Sequence, residues 1–128
     1  MQILFLTIFL SLTFLPENLE RFLAPKDINQ EVTLLRRAYR QFIGINDSIH
    51  QNDADAAAIH AGRFNRIITR LEKTFPERDY SELIDLSGKI MISRTLEEQY
   101  ENFILLEQVF KPTLQEAGIE DDFPSHQY

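Results

Sequence analysis

The absence of cysteine is the most restrictive feature of this 128-residue chain. Without a thiol there is no disulfide, no cysteine nucleophile, no thiolate zinc site and no covalent attachment of a c-type haem. A lipoprotein anchor, which is built on a cysteine, is excluded for the same reason. The chain also has no tryptophan and only four glycines, which argues against a β-sandwich with many tight turns.

The balance of charge is acidic, with a formal net charge of -7 and a pI near 4.9. General nucleic-acid binding is therefore not expected, because phosphate contacts require a basic surface. The hydrophobic fraction of 44% and the charged fraction of 26% are those of an ordinary globular protein. The length suits a single domain with one modest core.

The chain begins with an apolar run from Ile3 to Leu15, in which the only polar residues are Thr7, Ser11 and Thr13. A helix over this run would be about 20 Å long, which is short of the ~30 Å hydrocarbon core of a bilayer. Three interpretations are open: a retained membrane anchor, a cleaved signal peptide, or a segment buried in the protein's own core. No Lys or Arg precedes the run and no small-residue cleavage site follows it. The retained anchor is therefore favoured, and its residues are Ile3, Leu4, Phe5, Leu6, Ile8, Phe9, Leu10, Leu12, Phe14 and Leu15.

Apolar residues at helical spacing then predict four helices. The predicted ranges are Gln30 to Gln51, Ala54 to Phe75, Glu82 to Ser93, and Leu96 to Ala117. We expect an all-α fold, an antiparallel four-helix bundle preceded by a short N-terminal hydrophobic helix. The domain organisation is a leader or membrane anchor over residues 1–25, the bundle over 26–118 and an acidic tail over 119–128.

Local signals set the predicted helix ends. Asp53 and Ser81 are expected to cap the second and third helices, and Thr95 opens the fourth with a capping box that ends at Glu98. Gly118 is a stop signal, whereas Pro112 should kink or divide the last helix. The third helix is predicted to bury Leu83, Ile84, Leu86, Ile90 and Met91. The predicted apolar face of the fourth comprises Leu96, Tyr100, Phe103, Phe110 and Leu114, with Glu107 near its centre.

Histidine and carboxylate on apolar faces raise the question of chemistry. His60 falls in the apolar stripe of the second helix, as Glu107 does in that of the fourth, and a buried polar group needs a partner. The simpler interpretation is that the two bond each other, or bond Tyr39 or Tyr100, across the core. The alternative is a metal or haem site formed by His60, Glu107 and His50. The paired Glu-x-x-His motif of diiron bundles is absent from the sequence.

A basic stripe follows the outer face of the second helix and comprises Arg63, Arg66, Arg70 and Lys73. A second cluster on the first helix contains Arg36, Arg37 and Arg40, and the fourth helix carries Glu97, Glu98 and Glu101. Such faces are usually solvated and partly paired within the monomer, with each pair contributing ~0–1 kcal/mol. Otherwise the stripe binds an acidic partner helix or an anionic membrane surface.

From Leu35 to Ala117 the order of features resembles uncharacterised exported bacterial helical-bundle domains, found alone or appended to periplasmic copper-efflux adaptors. The similar segments are Ala38-Tyr39, Asn52-Asp53-Ala54-Asp55-Ala56-Ala57 and Thr95-Leu96-Glu97-Glu98-Gln99-Tyr100-Glu101-Asn102-Phe103. That family tends to have arginine where Tyr100 stands and a Cys-Pro-Met after the last tyrosine. This chain has neither, so a copper role does not transfer. The resemblance implies a bundle exported from the cytoplasm.

Taken together, the sequence predicts a non-enzymatic accessory or interaction subunit of a membrane-associated assembly. The N-terminal segment would act as a signal-anchor on the extracytoplasmic or periplasmic side, with other protein subunits as partners and no bound cofactor. The alternative is a periplasmic metal- or haem-binding bundle that uses His60. A weaker third option is an enzyme site at the buried histidine–glutamate pair.

Overall fold

The computed structural model describes residues 29–119, and all regular structure in that part of the chain is helical. Helix α1 covers residues 29–50, and it is followed by α2 (Ala54–Thr74), α3 (Ser81–Ile92) and α4 (Leu96–Glu116). The predicted all-α class and the four helices are thus confirmed. The described residues 32–119 belong to one structural unit, and the contacts described for α1 to α4 lie within it. The predicted hydrophobic leader and most of the acidic tail lie outside the described residues.

Two of the predicted caps are present. The Asp53 carboxylate accepts a hydrogen bond of 3.0 Å from the Ala56 N–H, and the Thr95 hydroxyl accepts one of 3.1 Å from the Glu98 N–H. The second half of the predicted capping box differs, because Glu98 Oε1 accepts from the Arg94 N–H at 3.0 Å. Each cap satisfies a donor that the first helical turn leaves unpaired, which is worth about 1 kcal/mol.

The predicted cap of α3 is wrong. Ser81 is the first residue of the helix, and Tyr80 stands at the capping position without a side-chain hydrogen bond. Asp79 takes over this role, since its Oδ1 accepts from the Ser81 hydroxyl at 2.6 Å and from the Ser81 N–H at 3.1 Å. The bond from the Ser81 hydroxyl is the larger cause, and the bond from the Ser81 N–H the smaller, of a pKa of the Asp79 carboxyl below its usual range.

Helix α4 is continuous from Leu96 to Glu116 and contains Pro112, so the predicted division near Phe110 does not occur. The helix ends where the sequence predicts. Gly118 has a φ of +75°, a left-handed conformation that glycine adopts without the steric cost of a Cβ atom.

The core is built around four fully buried phenylalanines from three helices. The Phe42 ring of α1 lies 4.7 Å from Phe103 and 5.4 Å from Phe110 of α4, measured between ring centroids. Phe64 of α2 meets Phe110 edge to face at 5.0 Å. Aromatic pairs in these arrangements add ~0.5–1.5 kcal/mol to the free energy of burial.

Two predicted buried positions are exposed. Met91 of α3 is 41% exposed and Tyr100 of α4 is 36% exposed. The buried face of α4 keeps Phe103, Phe110 and Leu114 of the predicted face and adds Gln99 and Leu106, so it is rotated slightly away from Tyr100. Gln99 Nε2 donates to the Ala54 carbonyl at 3.0 Å, which joins the start of α4 to the start of α2.

Within residues 29–119 none of the helices combines the length and apolarity that crossing a lipid bilayer requires.

Candidate anion-binding groove

A surface groove of about 380 Å³ lies between α1 and α2 and is lined by arginines from both helices. We call it the arginine groove; its lining residues are Leu34, Arg37, Gln41, Arg63, Arg66, Ile67 and Arg70. The α1 residues are three and four positions apart, as are those of α2, so each set lies on one face of its helix. Helical periodicity thus places the residues of each wall of the groove on one face of one helix.

The groove combines charge with an apolar base. Leu34 is buried and Ile67 is half-buried, whereas Arg37, Arg63, Arg66 and Arg70 are exposed. A guanidinium group offers five N–H donors in a planar fork, and it binds carboxylate or phosphate oxygens in pairs. Among residues 29–119 no carboxylate lines the groove. The arrangement is therefore suited to an anion that also carries apolar surface.

The arginines of the groove are not neutralised within the described part of the protein. Over residues 29–119 none of the four forms an ion pair or a side-chain hydrogen bond. An ion pair is formed by Lys89 and Asp85 of α3, at 3.3 Å and in an exposed position. Four positive charges placed side by side repel one another, and a bound anion would relieve that repulsion.

The structure divides the predicted basic residues into two groups. Arg63, Arg66 and Arg70 line the groove together with Arg37, whereas Lys73 is exposed on α2 and does not line it. Arg36 and Arg40 are also exposed and do not contribute to the lining.

The acidic residues Glu97, Glu98 and Glu101 of α4 do not line the arginine groove. Glu98 and Glu101 line a second groove of about 410 Å³, which also contains Lys89 and Arg94. Glu97 is exposed. The second groove mixes both signs of charge, so it has less electrostatic reason to bind an anion.

His60 lies against the backbone of α1 next to the arginine groove. Its Nδ1 is 2.8 Å from Gln41 Oε1. A Cβ atom at residue 44 would lie 2.6 Å from the same nitrogen, so only glycine leaves room for the ring at this distance. Gly44 thus lets α1 and α2 approach closely, and His60 bonds Gln41 rather than any of the partners expected from the sequence.

The other two residues of the predicted metal site lie in different surroundings. His50 Nδ1 is 2.8 Å from the Asn46 carbonyl oxygen, and the His50 ring meets Tyr100 edge to face at a centroid distance of 6.4 Å. Glu107 is half-buried on α4. Over the described residues there is no group of three His, Cys, Asp or Glu side chains that could hold a metal ion, and His60, Glu107 and His50 do not form one.

Gln41 is the residue of this site that sequence reasoning missed. A glutamine on the border of an apolar face resembles any solvated polar residue. The only signal was its position, because Gln41 is seven residues after Leu34 and four after Arg37, and it therefore shares their helical face. That signal gains meaning only when the partner helix is known.

Comparison of the chain with protein-family models, with curated proteins and with solved structures found no match.

Proposed function

We propose that this protein is a non-enzymatic interaction subunit of a membrane-associated assembly and that it binds an acidic segment of a partner subunit through the arginine groove. The observation that carries the proposal is the set of four exposed arginines around one groove, none of them in an ion pair over residues 29–119. Intramolecular neutralisation is the usual state of such a stripe. Among residues 29–119 the four side chains have no such partner, so over this part of the protein they are available for an intermolecular contact.

The charge of the whole chain favours a discrete acidic partner over a broad anionic surface. The chain has a net charge of -7, so an anionic bilayer repels the chain as a whole and attracts only basic surfaces such as the groove. A protein segment can place its acidic groups in the groove without bringing a large negative surface near. An anionic lipid surface is therefore the second candidate for the ligand.

Attachment to the membrane is the part of the proposal that rests on the sequence of residues 1–25. Their apolar run is the predicted anchor, and the resemblance to exported bundle domains supports an extracytoplasmic position of the bundle. The groove then serves to bind other subunits next to the membrane.

An antiparallel order of the helices is the finer form of the fold that we propose. Support comes from contacts between helix pairs. His50 and Phe42 of α1 contact Tyr100 and Phe110 of α4 respectively, so residue numbers fall along α1 as they rise along α4. Gln41 pairs with His60 on the other side of the short turn between α1 and α2. This order is that of an up-down-up-down bundle.

Charge reversal in the groove tests the proposed function. We expect the double variant Arg66→Glu, Arg70→Glu to lose association with the native membrane assembly, because it replaces two groove cations by anions. The measurement is co-purification of the tagged full-length protein from its own membranes, quantified by mass spectrometry. A loss of at least ~100-fold is expected if each reversed contact contributes ~1.5–3 kcal/mol.

The chain offers a matched control for this experiment. Arg36→Glu, Arg40→Glu changes the net charge by the same amount on exposed residues outside the groove. Equal losses in the two double variants would reduce the effect to general electrostatics and contradict a specific groove. Melting temperatures of both variants identify any loss that is due to unfolding.

A further inference from the structure

The arginine groove contains a neutral polar side chain, that of Gln41, which is hydrogen-bonded to a residue outside the groove lining. Gln41 lines the groove and its Oε1 lies 2.8 Å from His60 Nδ1. For Gln41 Oε1 to accept, the proton must be on Nδ1 of His60, since an amide oxygen cannot donate. The Gln41 Nε2 group, on the other branch of the same planar amide, then points away from His60. Over residues 29–119 this Nε2 group has no hydrogen-bond acceptor.

We infer that Gln41, held by His60, supplies a fixed hydrogen-bond donor to the groove and that the groove binds the carboxylates of an acidic amphipathic helix. This inference rests on the proposed function and names the chemistry of its ligand. Arginine side chains are long and flexible, so alone they attract any anion. A donor with a fixed direction discriminates among anions, because it requires an oxygen at one place.

His60 is the positioning residue in this arrangement. Its ring occupies the space that the missing Cβ of Gly44 leaves on α1, and a Cβ there would approach the ring carbon Cε1 to 2.7 Å. The ring is half-buried between the two helices. The same nitrogen, Nδ1, therefore packs against the α1 backbone at Gly44 and bonds Gln41 one turn away on that helix, which restricts the rotamers that Gln41 adopts.

The length of the basic wall indicates a helix as the ligand. Arg63 and Arg70 are seven residues apart on α2, a rise of about 10 Å. A single carboxylate or phosphate fills only a part of this distance, whereas acidic residues three and four positions apart along a helix repeat over the same length. Between such residues, apolar side chains of the ligand helix would meet Leu34 and Ile67 at the base of the groove.

The test uses the full-length protein and a synthetic amphipathic peptide with glutamates three and four residues apart on one side and leucines between them. Binding is measured by titration calorimetry. We expect Gln41→Leu to weaken binding by about tenfold, the usual effect of losing one hydrogen bond to a charged group. Gln108→Leu, at an exposed position on α4, is the matched control and should leave the affinity within about twofold.

Gly44→Ala tests the role of His60 without removing either side chain. The new Cβ displaces the imidazole ring and thereby breaks its bond to Gln41. We expect ¹⁵N NMR to find the Nδ1-protonated form of His60 in the parent protein and its loss in Gly44→Ala. The affinity for the peptide should fall by the same factor as in Gln41→Leu.

The outcomes separate this inference from the proposed function. If Arg66→Glu, Arg70→Glu abolishes peptide binding while Gln41→Leu and Gly44→Ala bind normally, the groove stands and the Gln41 donor is refuted. If no groove variant matters, both are refuted. A peptide of the same composition in scrambled order that binds equally well overturns the helical ligand. Tight binding of phosphatidylserine vesicles or of inorganic phosphate, with no binding of the peptide, also overturns the helical ligand. Binding of the vesicles but not of phosphate would identify a lipid headgroup as the ligand, and binding of phosphate alone would identify free phosphate.

Discussion

At the scale of single residues, Asn65 joins two helices through one amide. Its Nδ2 donates to the Ile84 carbonyl at 2.9 Å and to the Ser87 hydroxyl at 3.0 Å, both on α3. Ser87 is fully buried and its hydroxyl in turn donates to the Leu83 carbonyl at 2.8 Å. A polar side chain between the buried faces of α2 and α3 thus fixes how the two helices align, since sliding by one residue would break both bonds.

We expect Asn65→Ala to lower the free energy of unfolding by about 1–2 kcal/mol, because two interhelical hydrogen bonds are lost from a half-buried position. Urea denaturation followed by circular dichroism measures the change. The control is Asn102→Ala, whose side chain bonds only the Glu98 carbonyl of its own helix. An effect in Asn65→Ala no larger than in Asn102→Ala would mean that the amide does not stabilise the contact between α2 and α3.

Polar residues of this kind mark the limit of prediction from the sequence. Asn65, Gln41 and Gln99 each stand beside an apolar stripe, and the sequence gives the same signal for a solvated amide as for one that bonds another helix. A hydrogen bond between helices depends on two residues far apart in the chain. Hydrophobic periodicity describes one helix at a time and therefore says nothing about the second residue.

At the scale of the helix, boundaries are local and were largely predictable. Asp53 and Thr95 act within three residues of their own position, and Gly118 ends α4 by its own conformation.

The buried face of α4, in contrast, could not be predicted from local signals. Phe103 and Phe110 fit both the predicted face with Tyr100 and the observed face with Gln99, because the two faces overlap on the helix. The choice between them is made by packing against the other helices, α3 among them, which no local pattern contains.

The start of α3 yields a prediction about pH. In the folded state the hydroxyl and N–H of Ser81 lower the pKa of Asp79. A lowered pKa means that this interaction stabilises the fold above the pKa of the unfolded chain, and that the gain is lost as the pH falls through the folded pKa. In Ser81→Ala only the backbone bond remains, so the Asp79 pKa should rise toward its ordinary value. An NMR titration of the Asp79 carboxyl carbon measures it, with Ser93→Ala as the control; an unchanged value would show that the hydroxyl is not the main cause.

At the scale of the whole molecule, the arginine groove is a local cluster of positive charge on an acidic chain. The chain is acidic overall, yet four arginines lie together in one groove that no carboxylate of the described residues lines. Composition alone predicted that the protein is acidic and does not bind nucleic acids, and the spacing of Arg and Lys residues predicted a basic stripe on α2. The groove itself was not predictable, since it exists only where α1 and α2 lie side by side and Arg37 joins the α2 arginines.

Membrane attachment gives a prediction for the intact protein. If the apolar run from Ile3 to Leu15 is a retained anchor, the membrane fraction of cells should contain the protein at its full mass. Intact mass spectrometry of the separate membrane and soluble fractions measures this. A shortened species in the soluble fraction alone would identify a cleaved signal peptide, and the anchored form of the proposal would then be abandoned.

The close contact of Gly44 with His60 also constrains how this protein can evolve. A side chain at position 44 and a ring at position 60 compete for the same space, with a Cβ only 2.6 Å from Nδ1. An alanine at position 44 would displace the His60 ring and break its bond to Gln41, so a lineage that acquires this alanine keeps a good fit only if a smaller residue replaces His60. In descendants of this sequence the two positions should covary, and Gln41 should drift once its hydrogen-bond partner is gone.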